Sequence, residues 1–193
     1  GEYDAIVVIG FPAQALMSKI LERIHPRTVV FYMGTNNSQK DEWTKHPLFA
    51  GDYIPTYVED TTDLALSIFP KRQEVVFLTN IREGNLQERF LRNLEAKHPG
   101  AVGTVISFRD STDDEVIEYL QARKDSALVV FHTWDRSPSG SRLEGNLSDI
   151  SRFFFNIHRD TGVPIFVMND YLMLSGVVGG AVVHIPDTGR NAA

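Results

Sequence analysis

The pattern of apolar and polar residues changes most sharply in the stretch 127–136. Residues 127–131 (ALVVF) are apolar without a break, and polar chemistry follows at once in His132, Thr133, Trp134, Asp135 and Arg136. A short apolar run rich in Val and Phe predicts a strand buried on both faces, as in parallel sheets covered by helices. Ligands meet such sheets just beyond the carboxyl ends of the strands. The polar cluster is therefore predicted to lie where a ligand would bind.

Similar apolar runs along the chain predict further buried strands over 5–9, 28–33, 74–78, 101–108, 163–168 and 181–185. Segments with helical spacing of apolar residues alternate with these strands. They predict helices over 13–24, 84–97 and 146–159, and two further helices that end at Phe69 and at Arg123. The stripe of the first helix consists of Leu16, Ile20, Leu21 and Ile24. The helix before Arg123 starts with Ser or Thr followed three residues later by an acid, which is typical of a capping box. This alternation predicts the α/β class, with Rossmann-like, mostly parallel sheets and right-handed crossovers.

The segment 51–70 divides the chain into two predicted lobes. Residues 53–58 alternate poorly and contain Pro55, so they are predicted to form an edge strand or an extended crossover. Residues 59–62 are predicted to supply the N-cap of the helix that ends at Phe69. A helix pattern is missing between the strand 28–33 and the extended piece, where a simple alternating sheet would have one. We therefore predict a partial first lobe, residues 1–58, and a second lobe, residues 59–193; a flavodoxin-like single sheet is the alternative.

Composition narrows the classes of protein without identifying one. The chain has 193 residues, 42% of them hydrophobic and 23% charged, which is ordinary for a soluble globular protein. A net charge of −6, with no Lys/Arg-rich run, argues against nucleic acid as a partner. The lack of cysteine excludes disulfides and thiolate metal sites. The sequence has no signal peptide and no apolar run near the roughly 20 residues that span a bilayer. Both ends look cut, and we expect a piece of a longer protein whose membrane segments lie outside this chain.

Several segments carry a resemblance to a known family. In order they are AIVVIG–FPAQAL, TVVFYMGTNN, the stretch from YIPTYVEDTTDLALSIFP to VVFLTN, LVVFHTWD, and VPIFVMNDYLMLSGVVGGAVVHIPDTGRNAA. The most specific are the crossover Val58-Glu59-Asp60, before a helix ending at Phe69-Pro70, and the terminal block 176–193. The chain resembles the transporter substrate-binding family of the type I periplasmic-binding fold, most closely the members built into bacterial histidine kinases or diguanylate cyclases. The resemblance covers nearly the whole chain but starts in mid-fold, so the first lobe is expected to be incomplete.

This resemblance implies an extracytoplasmic sensor domain whose two lobes close on a small molecule of unknown class. The hinge is then expected near residues 58–60 and in the last strand–helix region. The domain itself is expected to perform no chemistry and to need no cofactor or metal. It is expected on the periplasmic side of the bacterial inner membrane, with a possible homodimer as its assembly. The run Phe153 to Phe155 is expected to be core, with an interface as the alternative.

Polar and aromatic residues at the predicted strand ends form the candidate ligand-binding set. A small polar ligand needs a few donors and acceptors on rigid elements, together with aromatic faces that exclude water. For each residue alone, the alternative is a helix N-cap or a turn residue, and Arg82 is equally a surface partner of Glu83. The set consists of Phe11, Gln14, Gly34, Thr35, Asn36, Thr79, Asn80, Arg82, Thr133, Trp134, Asp135, Asn169, Asp170 and Tyr171.

Other site chemistries lack their motifs. The six histidines are scattered and form no zinc pattern, and His132 is expected to be a core histidine with satisfied hydrogen bonds. The sequence has no phosphate-binding glycine motif and no nucleophile elbow. The acids at 110 and 113–115 are explained by a helix start. The alternatives to a sensor domain are a free-standing solute-binding protein of a transporter and a flavodoxin-like or hydrolase-like enzyme.

Overall fold

A computed structural model describes residues 3–9, 26–35, 47–53, 57–79, 84–107, 110–132, 147–174 and 176–182, with residues 13, 16–17, 19–20 and 23–24 between the first two ranges. Its contacts divide the chain into two compact units. One comprises Gly1–Thr56 with Val183–Ala193, and the other comprises Tyr57–Val182. The chain first passes from one unit to the other after Thr56, two residues before the predicted boundary at residue 58. Each unit contains a parallel sheet, which confirms the predicted α/β class.

The described residues of the first unit form a three-stranded parallel sheet in the order β1-β2-β3. Its strands are β1 (Ala5–Ile9), β2 (Val29–Thr35) and β3 (Phe49–Tyr53). The described residues between 13 and 20 are helical, as their spacing predicts. A small core forms where Met17 packs with the inward-facing side chains of the sheet, which are Val8, Val30 and Tyr32.

Two predictions for this unit are wrong. The strand β1 is not buried on both faces, because only the Val8 side of the sheet is covered: Val7 and Ile9 are 59% and 66% exposed, and Phe31 of the central strand β2, which pairs with Val7, is 46% exposed. Leu16 is also exposed, and Met17 takes its place in the core.

The third strand, Phe49–Tyr53, lies in a segment that the sequence predicts as a loop, and residues 54–56 of the predicted edge strand or crossover fall outside the described residues. The sequence does not predict this strand because it contains Gly51, and glycine is unfavourable in a strand interior. The residue is needed there: a Cβ at position 51 would lie 1.9 Å from the carbonyl oxygen of its pairing partner Tyr32.

The second unit is a five-stranded parallel sheet in the order β5-β4-β6-β7-β8 with helices on both faces. In chain order its elements are α1 (Val58–Ile68), β4 (Glu74–Thr79), α2 (Gly84–Lys97), β5 (Val102–Ser107), α3 (Asp113–Gln121), β6 (Ala127–Phe131), α4 (Leu147–Thr161), β7 (Ile165–Val167) and β8 (Val177–Gly179). A 3-10 turn, Asp170–Leu172, joins the last two strands. The predicted strands β4 to β7 and helices α2 to α4 are thereby confirmed, apart from small shifts at their ends.

The two faces of this sheet bury separate apolar clusters. On one face, α1 and α2 cover Val75 and Phe77 of β4 and Val130 of β6. On the other face, α3 and α4 cover Val76 and Phe131 and their neighbours. Every residue of β6 is buried, as the unbroken run predicts. Within the aromatic run of α4, Phe153 and Phe154 are core, whereas Phe155 is 49% exposed.

The start of α3 agrees with the prediction from the sequence, whereas the start of α1 does not. The predicted capping box of α3 is confirmed: the Thr112 hydroxyl accepts from the Glu115 amide, and the Glu115 carboxylate accepts from the Thr112 amide. The start of α1 is not where the sequence predicts it. Val58 is already helical and fully buried, and Thr62 lies inside the helix, where its hydroxyl donates to the Val58 carbonyl at 2.6 Å. The burial of Val58 therefore determines where α1 begins, and the capping preference of residues 59–62 does not.

The end of the sheet also departs from the prediction. The last strand is β8, and residues 181–182 of the predicted strand 181–185 lie outside it, while 183–185 fall outside the described residues. The backbone leaves the ladder at Gly180, where a Cβ would lie 1.7 Å from the carbonyl oxygen of Val167. The hydroxyl of buried Thr61 then holds Ala181, accepting from its amide at 3.2 Å and donating to its carbonyl at 3.3 Å. None of the described helices is both long and apolar enough to cross a membrane.

We predict that Gly180→Ala destabilises the protein while Gly179→Ala does not. The new methyl group at 180 meets backbone that cannot yield, whereas nothing lies within 4 Å of a Cβ at 179. Overpacking of this kind costs about 1–3 kcal/mol, and the control is expected to stay within about 0.5 kcal/mol of the wild type. Urea denaturation measures both, and equal midpoints for the two variants would contradict the close approach at Gly180.

Candidate functional site

The carboxyl edge of the second sheet contains a topological switch point between β4 and β6. These strands are adjacent, yet the helices that follow them lie on opposite faces: α2 after β4 packs with Phe77, and α4 after β6 packs with Phe131. The two connections therefore lead to opposite faces of the sheet. In open parallel α/β sheets, ligands bind at such a switch point.

Two polar side chains, Thr79 and His132, are buried at this switch point. Thr79 is the last residue of β4, and His132 follows the last residue of β6. Leu78 pairs with Phe131, so Thr79 and His132 are the next neighbours across the two strands. Thr79 is fully buried and His132 is 9% exposed, and Oγ1 of Thr79 lies 3.2 Å from Nδ1 of His132. The pair satisfies polar groups that would otherwise be costly to bury.

The imidazole of His132 is held neutral by its surroundings. Burial, together with the positive charge of Arg89, lowers the pKa of His132 to about 4. The ring stacks on Phe77 at 5.7 Å, and Phe77 stacks on Phe90 of α2 at 4.8 Å. His132 thus continues an aromatic column of the core and is a neutral hydrogen-bonding group at pH 7.

Arg89 of α2 belongs to a charged group between α1 and α2. Its Nε lies 3.0 Å from Oε1 of Glu59, and the same oxygen accepts from Nδ2 of Asn93 at 3.0 Å. The Arg89 side chain is 43% exposed. Glu59 fixes the orientation of the guanidinium near the switch point without removing its charge.

The end of β7 brings another part of the predicted set to this edge. Asn169 follows β7 as the N-cap residue of the 3-10 turn, which contains Asp170 and Tyr171. Because Phe131 pairs with Val167, these residues lie beyond the strand next to β6. Tyr171 is 48% exposed, and burial of its hydroxyl together with the charge of Asp170 raises its pKa.

The predicted site residues fall into three groups: those in the first unit, those at one edge of the second sheet, and those outside the described residues. Gly34 and Thr35 end β2 in the first unit. Thr79, Asn169, Asp170 and Tyr171 lie at one edge of the second sheet, as predicted. The rest fall outside the described residues, namely Phe11, Gln14, Asn36, Asn80, Arg82, Thr133, Trp134 and Asp135. Their meeting at one ligand stays a prediction.

The predicted core position of His132 is confirmed by its burial and by its hydrogen bond to Thr79, but the sequence does not include it in the candidate ligand-binding set. The sequence also does not single out Arg89, whose charge acts on His132. The signal available for His132 was its position as the first polar residue after a buried strand, the criterion that selected Thr79. Arg89 gave no signal, because its proximity depends on how α2 packs on the sheet.

The acidic start of α3 has a structural explanation, as the sequence predicts. Its Thr112–Glu115 box accounts for two of the polar groups. Burial and the neighbouring Asp114 raise the pKa of Asp113, whose Oδ1 is buried. Among the described residues, no three His, Asp or Glu side chains form a group that could hold a metal ion.

Comparison with known proteins gives no match for this chain. No protein-family model matches the sequence, and neither a curated protein nor a solved structure is significantly similar to it.

We predict that, because of His132, the free energy of unfolding decreases as the pH falls from about 6.5 to about 4. In this window the unfolded state binds a proton at this residue and the folded state does not, so stability is lost toward acid. The full effect is about 3 kcal/mol, at 1.36 kcal/mol per pKa unit. Urea denaturation at pH 7 and pH 4.5 measures it.

The comparison is with His132→Gln, which cannot titrate, and with His158→Gln on the exposed surface of α4 as a control. The loss of stability on acidification should be smaller in His132→Gln than in the wild type, and unchanged in His158→Gln. An equal loss in all three proteins would show that His132 already charges freely in the folded state.

Proposed function

We propose that this chain is an extracytoplasmic sensor domain that binds a small molecule at the switch point of its second sheet. The observation that carries the proposal is the buried Thr79–His132 pair between two strands whose following helices diverge. Polar groups held rigidly at a strand end are what a small-ligand site needs.

The residues predicted to complete the site follow the same two strands in the sequence. Asn80 and Arg82 come directly after Thr79, and Thr133, Trp134 and Asp135 come directly after His132. The two loops that leave the switch point therefore carry donors, acceptors and an aromatic face. We assign ligand binding to these loops together with the Thr79–His132 pair.

We propose further that the two units are the lobes of a type I periplasmic-binding architecture. The support is the presence of a parallel sheet in each unit and the two crossings of the chain between the units. Binding then acts as a signal because the ligand has a higher affinity for the closed arrangement of the lobes. In this proposal the domain works by binding and not by catalysis, on the periplasmic side of the membrane and as a possible homodimer.

The test of the binding site is a thermal-shift screen with a library of amino acids, sugars and organic acids, followed by Trp134→Ala. A compound present at 100 times its Kd stabilises the protein by about 2.7 kcal/mol. We expect that shift to disappear in Trp134→Ala. It should persist in Trp43→Ala, which changes the other of the two tryptophans. A shift that survives Trp134→Ala and is lost in Trp43→Ala would place the site elsewhere.

The test of the signalling mechanism is small-angle X-ray scattering with and without a stabilising compound from this screen. Closure should decrease the radius of gyration in the wild type and leave Trp134→Ala unchanged. A compound that stabilises the protein but does not alter its scattering would support a binding site without lobe closure.

A further inference from the structure

We infer that His132 contacts the ligand directly through Nε2 and that the group it receives is a carboxylate. This inference depends on the proposed ligand site at the switch point and names the chemistry of the molecule that would bind there. It reverses the expectation that His132 is only a satisfied core residue.

The first step concerns the different hydrogen-bonding roles of the two ring nitrogens of His132. Nδ1 is 3.2 Å from Oγ1 of Thr79, and among the described residues Nε2 has no hydrogen-bond partner. A neutral imidazole carries one proton. If the Thr79 hydroxyl donates to Nδ1, the proton is on Nε2, and this N–H is left for an acceptor on the ligand.

The second step is the rigidity of the ring. His132 is 9% exposed, its backbone amide donates to the Leu78 carbonyl at 2.9 Å, and its ring stacks on Phe77. A side chain fixed on three sides loses little further freedom on binding, which favours affinity. Its pKa of about 4 keeps it neutral, so it offers a single directional hydrogen bond without charge.

The third step is the sign of the surrounding charge. The positive charge of Arg89 reaches His132, although Glu59 is paired with Arg89. The helix α2 begins five residues after Thr79 and has no acid in its first turn, whereas α1, α3 and α4 each have at least one. The acid nearest to this helix start in the sequence is Glu83, which precedes Gly84, so within the first turn of the helix no acid offsets the positive end of the dipole. An N–H donor with these two positive contributions favours a carboxylate over a neutral or cationic group.

The experiment uses pairs of probes of nearly the same shape, in which a charged carboxylate that only accepts hydrogen bonds is replaced by a neutral primary amide: succinate and succinamide, benzoate and benzamide, and each carboxylate hit of the screen with its primary amide. We expect carboxylates to raise Tm and their amides to lose about tenfold or more in affinity. If only neutral or cationic compounds raise Tm, the carboxylate inference is wrong and the proposed site stands. If no compound raises Tm, the proposed function fails as well.

The role of Nε2 is tested with two variants of the same residue. The amide of Asn at position 132 reaches the place of Nδ1, and the amide of Gln reaches the place of Nε2. We expect His132→Asn to keep the contact with Thr79 and lose about tenfold or more in affinity for the carboxylate probe. We expect His132→Gln to bind within about threefold of the wild type. The opposite order would show that His132 acts only as a structural partner of Thr79.

A measurement on the wild-type protein covers the case in which a variant fails to fold. In ¹⁵N-labelled protein, the His132 ring resonances report which nitrogen carries the proton. Addition of the carboxylate probe should shift Nε2 and leave Nδ1 nearly unchanged. A shift confined to Nδ1, or no shift at either nitrogen with saturating probe, would overturn the inference.

Discussion

The double cover of β4 and β6 is the constraint on which the second unit depends. Helices lie on both faces of these strands, so their side chains alternate between two apolar clusters. In such a setting a polar side chain is tolerated only where the strand leaves the helical layers, and there it must find a partner. Thr79 and His132 meet this condition together. The polar chemistry of the second sheet is therefore concentrated at its edge by the burial of the strands before it.

The sequence could predict those elements whose pattern is local. The unbroken run of β6 and the helical spacing of α2 give correct strands and helices because each is read within about ten residues. It could not predict β3 or the end of the last strand, because Gly51 and Gly180 are required by backbone from distant parts of the chain. The difference lies in the range of the interaction and not in the strength of the pattern.

The same distinction explains what could be predicted of the site. Thr79 was identified as a polar residue at a strand end, which is a local property. Its pairing with His132 joins residues 53 positions apart, and no local pattern contains it. A buried strand seen in sequence also does not reveal how many of its faces are covered: β1 has an apolar run much like that of β6, yet Val7 and Ile9 are exposed, together with Phe31 of the neighbouring strand on the same face. The tertiary packing around each strand, which the sequence lacks, decides both matters.

Burial also explains why a neutral imidazole is suited to the end of β6. A charged side chain at the end of β6 would lose its hydration against Phe77 and would need a counter-ion there. Histidine avoids this cost because its pKa falls on burial and it still keeps a donor and an acceptor. The full charge is held farther out, on the half-exposed Arg89, where Glu59 fixes it and water still screens it. Direction and charge are thus supplied by different residues at different depths, and each is placed where burial permits it.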